Sequence, residues 1–293
     1  MRITQSMILR NTLYRVNLNR DEINKAQGRI ATQKKILQPS DDSLGFSQAV
    51  RFRRSLSQNK QFLKNIQDAE SWVNTTSEAL DQLHDYAMQA YSVAQKGADG
   101  ASDAEIRQSL AVTVRGLLQE AVAISNTNYR GKAVFAGTAT LENQPFTLEN
   151  NVVTYSGNDD KITRKVSQNV SAEINVTGQE IMDTELFTSL SDLVDGLENN
   201  DQDAIKAAME RLGSAEKELL KLATDSGSLQ VNLGLIKGRL TETNVNLEKY
   251  ISDLEDAHLE EEIVKLKAQE NAYMAALKST SEILNMNIMN YLS

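Results

Sequence analysis

Residues 233–264 read LGLIKGRLTETNVNLEKYISDLEDAHLEEEIV, and their spacing decides the fold class. Leu233, Ile236, Leu240, Thr243, Leu247, Tyr250, Leu254, Ala257, Glu261 and Val264 step by alternating threes and fours, and eight of these ten are apolar. That is a coiled-coil seam, narrow on a mostly polar helix, so it is stable only against a partner. The seam then shifts by a position. Ile263, Leu266, Tyr273, Leu277, Leu284, Ile288 and Tyr291 continue it to the chain end.

The N-terminus carries a matching stripe. Leu9, Val16, Ile23, Ile30 and Leu37 fall seven apart, while Arg20, Gln27 and Lys34 at the companion positions are polar. Both ends therefore need helical partners, which makes these twelve apolar residues, five N-terminal and seven C-terminal, the candidate assembly contacts. Between the ends, Phe46 to Lys96 contains neither Pro nor Gly, enough for a helix on the order of 70 Å. The segment Pro39-Ser40-Asp41-Asp42-Ser43-Leu44-Gly45 before it supplies turn formers and helix caps. Gly97 to Gly100 ends the run, and Ser102-Asp103-Ala104-Glu105 fits a capping box that opens a second helix to about Asn128.

From Gly131 to about Asp183 the period changes to two, with Val170, Ala172, Ile174 and Val176 alternating against polar neighbours and Asn150-Asn151 and Ser156 to Asp160 as turns. Helix resumes near Glu185, pauses at Glu198 to Asp201, then runs on with Gly213, Gly227, Gly234 and Gly238 as weak points. The pattern predicts a mainly α protein of long, coiled-coil-like helices with a small β insertion.

Composition narrows the chemistry. With no Cys and only two His, His84 and His258, thiolate metal sites, cysteine nucleophiles and imidazole-based centres are not expected. No cofactor, metal ligand or catalytic residue is assigned. Gly131-Lys132 fails as a phosphate loop because Asn126 replaces its first Gly and Ala133 its Ser or Thr. A net charge of -9 disfavours nucleic acid and acidic membranes as partners. Arg51-Phe52-Arg53-Arg54 reads as a solvated face and Trp72 as packing, while the acidic run from Asp253 to Glu262 reads equally as a solvated face or as a surface that repels copies of itself or meets a basic partner.

Two further segments carry a family resemblance. Gly28-Arg29-Ile30 followed by Pro39 to Gly45 resembles the place where the N-terminal helix of flagellins and their relatives turns into the rod. Tyr129-Arg130-Gly131-Lys132-Ala133-Val134-Phe135-Ala136-Gly137-Thr138, with Pro145-Phe146 and Tyr155-Ser156-Gly157, resembles the hook-associated branch of that flagellin-like family, as does the end in Asn290-Tyr291-Leu292. The resemblance implies a long-helix rod with a discontinuous terminal domain, divided as 1–40 with 255–293 for the terminal helical domain, 41–137 with 184–254 for the rod and 138–183 for a β-rich outer domain. It implies a non-enzymatic structural adaptor that joins hook to filament in the bacterial flagellum, outside the cell. It implies a ring of identical copies, contacts with another hook-associated protein and with flagellin, and type III export without a cleaved signal. A flagellar export chaperone on the C-terminal helix also follows from it. A short flagellin is the alternative within the family; an exported coiled-coil enzyme with its site in the β insertion is the alternative outside it.

Overall fold

The computed structural model describes residues 5–99, 103–141 and 144–292, without the side chains of residues 5, 6, 8, 9 and 283–292. It contains α1 (Gln5–Thr32), α2 (Ser43–Ala98), α3 (Ala104–Ser125), β1 (Asn128–Tyr129), β2 (Lys132–Ala133), β3 (Phe146–Glu149) and β4 (Val152–Tyr155). After them come β5 (Thr163–Ser167), β6 (Val170–Glu173), α4 (Gly178–Met182), α5 (Leu186–Glu198), α6 (Gln202–Glu255) and α7 (Leu259–Leu292). Two compact units result, residues 1–58 with 243–293 and residues 59–242.

The predicted helices form, and their ends follow local chemistry. Asp42 caps α2, its carboxylate accepting from the N–H groups of Leu44 at 3.1 Å and Gly45 at 2.9 Å. Asp41 accepts from the N–H groups of Leu37 and Gln38, and the Leu37 bond first of all holds its pKa below the ordinary 3.8. The cap of α3 is Asp103, one residue later than the capping box predicts; its carboxylate accepts from Ile106 N–H at 2.9 Å. Ser102 and Gly100 lie outside the described residues. All four glycines that the sequence marks as weak points in the last long helix sit inside α6 without breaking it.

The core of unit 59–242 joins α2, α3, α5 and α6, with Ile66, Leu80, Leu83, Leu118, Leu190, Leu193, Leu197 and Ile205 fully buried. The β segment packs on that core as three separate antiparallel hairpins. Asn150 and Asn151, both at positive φ, make the predicted two-residue turn between β3 and β4. Phe146 on β3 is buried against Tyr155 at 5.1 Å and Phe187 of α5 at 5.6 Å. Its backbone is held by Asn126 after α3, which donates to Phe146 C=O at 2.8 Å and accepts from its N–H at 2.9 Å. Ala133, Val134, Phe135 and Ala136 are fully buried. Tyr155 O–H donates to Phe135 C=O at 3.0 Å, which locks β4 to this segment. Gly137 needs its hydrogen side chain: φ is 65°, and a Cβ would lie 2.1 Å from Asn158 O.

Three expectations change. The alternation to Val176 stops with β6, because Asn175 is buried: its amide accepts from Ile162 N–H at 2.6 Å and donates to Asp160 C=O at 3.2 Å. A short helix, α4, lies within the stretch read as β, started by a capping box between Thr177 and Glu180. The seam of α6 also leaves its heptad. Leu233 and Leu240 are buried, but Asn244 and Ile251 follow, while Thr243 and Tyr250 face solvent. A straight helix drifts about 20° per heptad, so spacings of three, four and four keep one face inward where a strict heptad would turn away.

Candidate assembly surface

α1 and α7 lie side by side in the unit formed by residues 1–58 and 243–293, the end of α1 against the start of α7. The meeting faces repeat by fours and threes on both helices. The positions so spaced are Thr12, Val16, Asn19, Ile23, Ala26 and Ile30 on α1 and Glu262, Leu266, Gln269, Tyr273, Ala276 and Thr280 on α7, with Glu22, Gly28, Arg29 and Glu270 half-buried beside them. The companions of the seven-spaced apolar residues are therefore Thr12, Asn19 and Ala26, not the Arg20, Gln27 and Lys34 that the sequence suggests. Five of the twelve are polar. Arg29 Nε and Gln269 Oε1 are buried without a hydrogen-bond partner, each such group costing about 1–3 kcal/mol, and Glu262 Oε2 has the Arg29 guanidinium at 3.7 Å in place of a hydrogen bond. The pair is a weak one by construction.

A charged junction holds its closed end. α1 stops at Thr32 because Gln33 turns left-handed at φ 57°, and the chain then forms a short antiparallel bridge, Lys34 opposite Asp256. Lys35 N–H donates to Glu255 C=O at 2.6 Å and Ala257 N–H to Gln33 C=O at 2.9 Å. This pairing interrupts the continuous C-terminal helix read from the sequence: α6 ends at Glu255 and α7 begins at Leu259. It also puts Leu37 beyond α1, packed on Gly28. The buried Glu255 carboxylate bonds Arg53 and lies 3.6 Å from Lys34 Nζ, so Arg53 is an internal partner within the basic cluster. Phe52 stacks on Tyr250 at 5.8 Å.

Asp256 and Glu262 titrate low. Lys34, then Ser252, hold Asp256 below its ordinary 3.8; Lys265, with Arg29 at 3.7 Å, holds Glu262 below 4.5. Groups with lowered folded pKa values stabilise at pH above their unfolded values and lose that contribution as pH falls through the folded ones. Amide exchange in α1 and α7 is expected to speed up as pH drops below about 4.5 relative to the intrinsic rate, and less so in Lys34→Gln and Lys265→Gln. Equal acid sensitivity in the variants would remove these pairs from the account.

The seam leaves nine large apolar side chains uncovered among polar neighbours. Met7, Leu13, Tyr14 and Leu18 of α1 and Leu259, Ile263, Val264, Met274 and Leu277 of α7 are between 36% and 70% exposed. Met7, Tyr14 and Leu18 form one line along α1, and Ile263, Met274 and Leu277 one line along α7, by helical spacing. Of the twelve assembly candidates, Val16, Ile23, Ile30, Leu266 and Tyr273 lie in the internal seam, while Leu37, Ile263 and Leu277 are exposed. The side chains of Leu9, Leu284, Ile288 and Tyr291 lie outside the described residues. Sequence reading passes over Tyr14, Leu18 and Met274, which a second apolar line beside the seam would have flagged.

Other candidates resolve to packing or turns. Gly131, φ 73°, and Arg130, φ 51°, make the two-residue turn between β1 and β2. His84 lies beside Glu216 at 3.6 Å. Among the described residues, no group of three or more His, Asp or Glu could hold a metal, and no helix is long and apolar enough to cross a membrane.

The bacterial flagellin N-terminal helical region matches residues 3–140. Flagellar hook-associated protein 3 of Escherichia coli strain K12 is 23% identical over 98% of both chains. The crystal structure of Bacillus cereus FlgL covers 69% of this chain and 98% of its own, with TM-score 0.61 and 23% identity. That of the flagellar junction protein FlgL from Legionella pneumophila covers 72% and 99%, with TM-score 0.59 and 12% identity, a likeness of fold. Such relatives are structural flagellar proteins, not enzymes. A flagellin-type N-terminal region, a matching fold and a relative aligned end to end agree in what the chain is similar to: the flagellin-like proteins of the bacterial flagellum.

Proposed function

We propose that this chain is a structural adaptor at the hook-filament junction of the flagellum, held in a ring of identical copies through its terminal helices. The observation that carries this reading is the apolar face left open on α1 and α7 beside a polar, under-bonded seam. Nine side chains contribute to it. Each is about half exposed, so covering one adds on the order of 1 kcal/mol. Together they are of the size that offsets the ~4–15 kcal/mol of freedom lost on association. The same face would receive another hook-associated protein on one side and flagellin on the other. The α7 line Ile263, Met274 and Leu277 also suits an export chaperone that sequesters the C-terminal helix before assembly. The route is type III export without a cleaved signal. Within a ring, residues 1–40 with 255–293 would form the inner layer and residues 138–183 the outer one.

Genetic removal tests the reading. Cells lacking the chain are expected to keep hooks and release flagellin into the medium, and wild-type copies restore filaments. Normal filaments on the deletion strain would refute it.

A further inference from the structure

We infer that a cleft in unit 59–242, walled by Trp72, Tyr129, Arg130, Lys132 and Arg164, is a recognition site for the carboxylates of an acidic segment on a neighbouring protein. The cleft measures about 140 Å³. Trp72 comes from α2, Tyr129 to Lys132 from the β1–β2 hairpin and Arg164 from β5.

Its charge is opposite to that of the chain. Three cations face one carboxylate, Asp68, in a protein of net charge -9. Asp68 reaches Arg130 at 3.3 Å, whereas Lys132 and Arg164 form no ion pair among the described residues. Trp72 adds a donor. The side chain is buried, and its indole N–H has no acceptor among the described residues, an arrangement that costs about 1–3 kcal/mol. Tyr129 meets the indole edge-on at 6.0 Å, and the Arg130 guanidinium stacks over the Tyr129 ring at 5.1 Å, which fixes both.

The backbone supports the assignment. Arg130 sits left-handed, φ 51°, at a turn position where Asn, Asp or Gly is the unstrained choice, and such conformations concentrate where a side chain must be placed. An acceptor-only ligand with two oxygens pairs with Lys132 and Arg164 together, and carboxylates on one segment provide that in multiples. If the junction reading holds, the neighbour is another subunit. The site itself does not depend on that, and it is testable on the free chain.

Trp72 is the sole tryptophan, so its emission reports directly on the cleft. The full chain is titrated with poly-L-glutamate at low salt. A saturable change in emission is expected, about fivefold weaker binding in Lys132→Gln and in Arg164→Gln, no change in the remote Lys206→Gln, and loss at high salt. Each substituted residue is exposed, and far-UV circular dichroism verifies that the variants stay folded. No saturable response overturns the proposal. So does a response to inorganic phosphate without one to poly-L-glutamate, or equal binding by all three variants.

Discussion

Replacing Phe146 by alanine is expected to lower the unfolding free energy of unit 59–242 by about 3–5 kcal/mol, the usual range for a fully buried aromatic. The ring is shared between layers. It contacts Tyr155 within its own hairpin and Phe187 on α5, and its backbone is bonded on both sides by Asn126 after α3. Truncation therefore leaves a cavity where hairpin and helices meet. Urea unfolding followed by far-UV circular dichroism, which reads mainly helix, is the check. A helical transition at the wild-type midpoint, with only local loosening of residues 146–155, would show that the hairpin is not part of the cooperative core.

The second large effect concerns assembly and should leave the free chain almost untouched. Tyr14→Asp combined with Met274→Asp places two charges on the open faces of α1 and α7, away from the inward seam. Exposed substitutions of this kind usually change stability by no more than ~0.5 kcal/mol each. Burial of either charge in a subunit contact would cost several kcal/mol. The double variant is expected to be produced and exported normally, to melt like the wild type, and to leave flagellin in the medium as the deletion does. Val16→Asp is the contrast: Val16 is 8% exposed in the internal seam, so that change should loosen α1 against α7 in the free chain. A double variant that supports normal filaments would place the assembly contacts elsewhere.

The outline of this fold was legible because long helices announce themselves. The Pro- and Gly-free run 46–96 lies within α2, and Asn150-Asn151 turns where its left-handed preference says it must. What escaped depends on partners distant in sequence. Nothing near Asp256 explains why the C-terminal helix breaks there; the cause is a backbone bridge to Lys34, 222 residues away. The one-residue drift at Asn244 depends on helix straightness, which hydrophobic spacing does not encode. Asn175 looks like a solvent-facing residue of a strand until its amide is seen bonded to Ile162 and Asp160.

The terminal stripes show the same limit for the assembly surface. Spacing picked out the two terminal helices, which pack on each other, and named Ile263 and Leu277, both of which are exposed. It could not separate an inward seam from an outward line. Val16 and Tyr14 are two residues apart and equally plausible as contacts, and only the position of α7 tells them apart. The open face exists because the seam is polar: Thr12, Asn19, Gln269 and Thr280 occupy sites that apolar residues would fill in a self-sufficient pair.

Where the chain sits on the flagellum is the most direct test. Imaging of intact flagella carrying an epitope in the exposed loop that includes Leu141 would locate every copy. Label confined to a thin band between hook and filament is the result expected of an adaptor. Label along the whole filament would make the chain a filament subunit and contradict the junction reading.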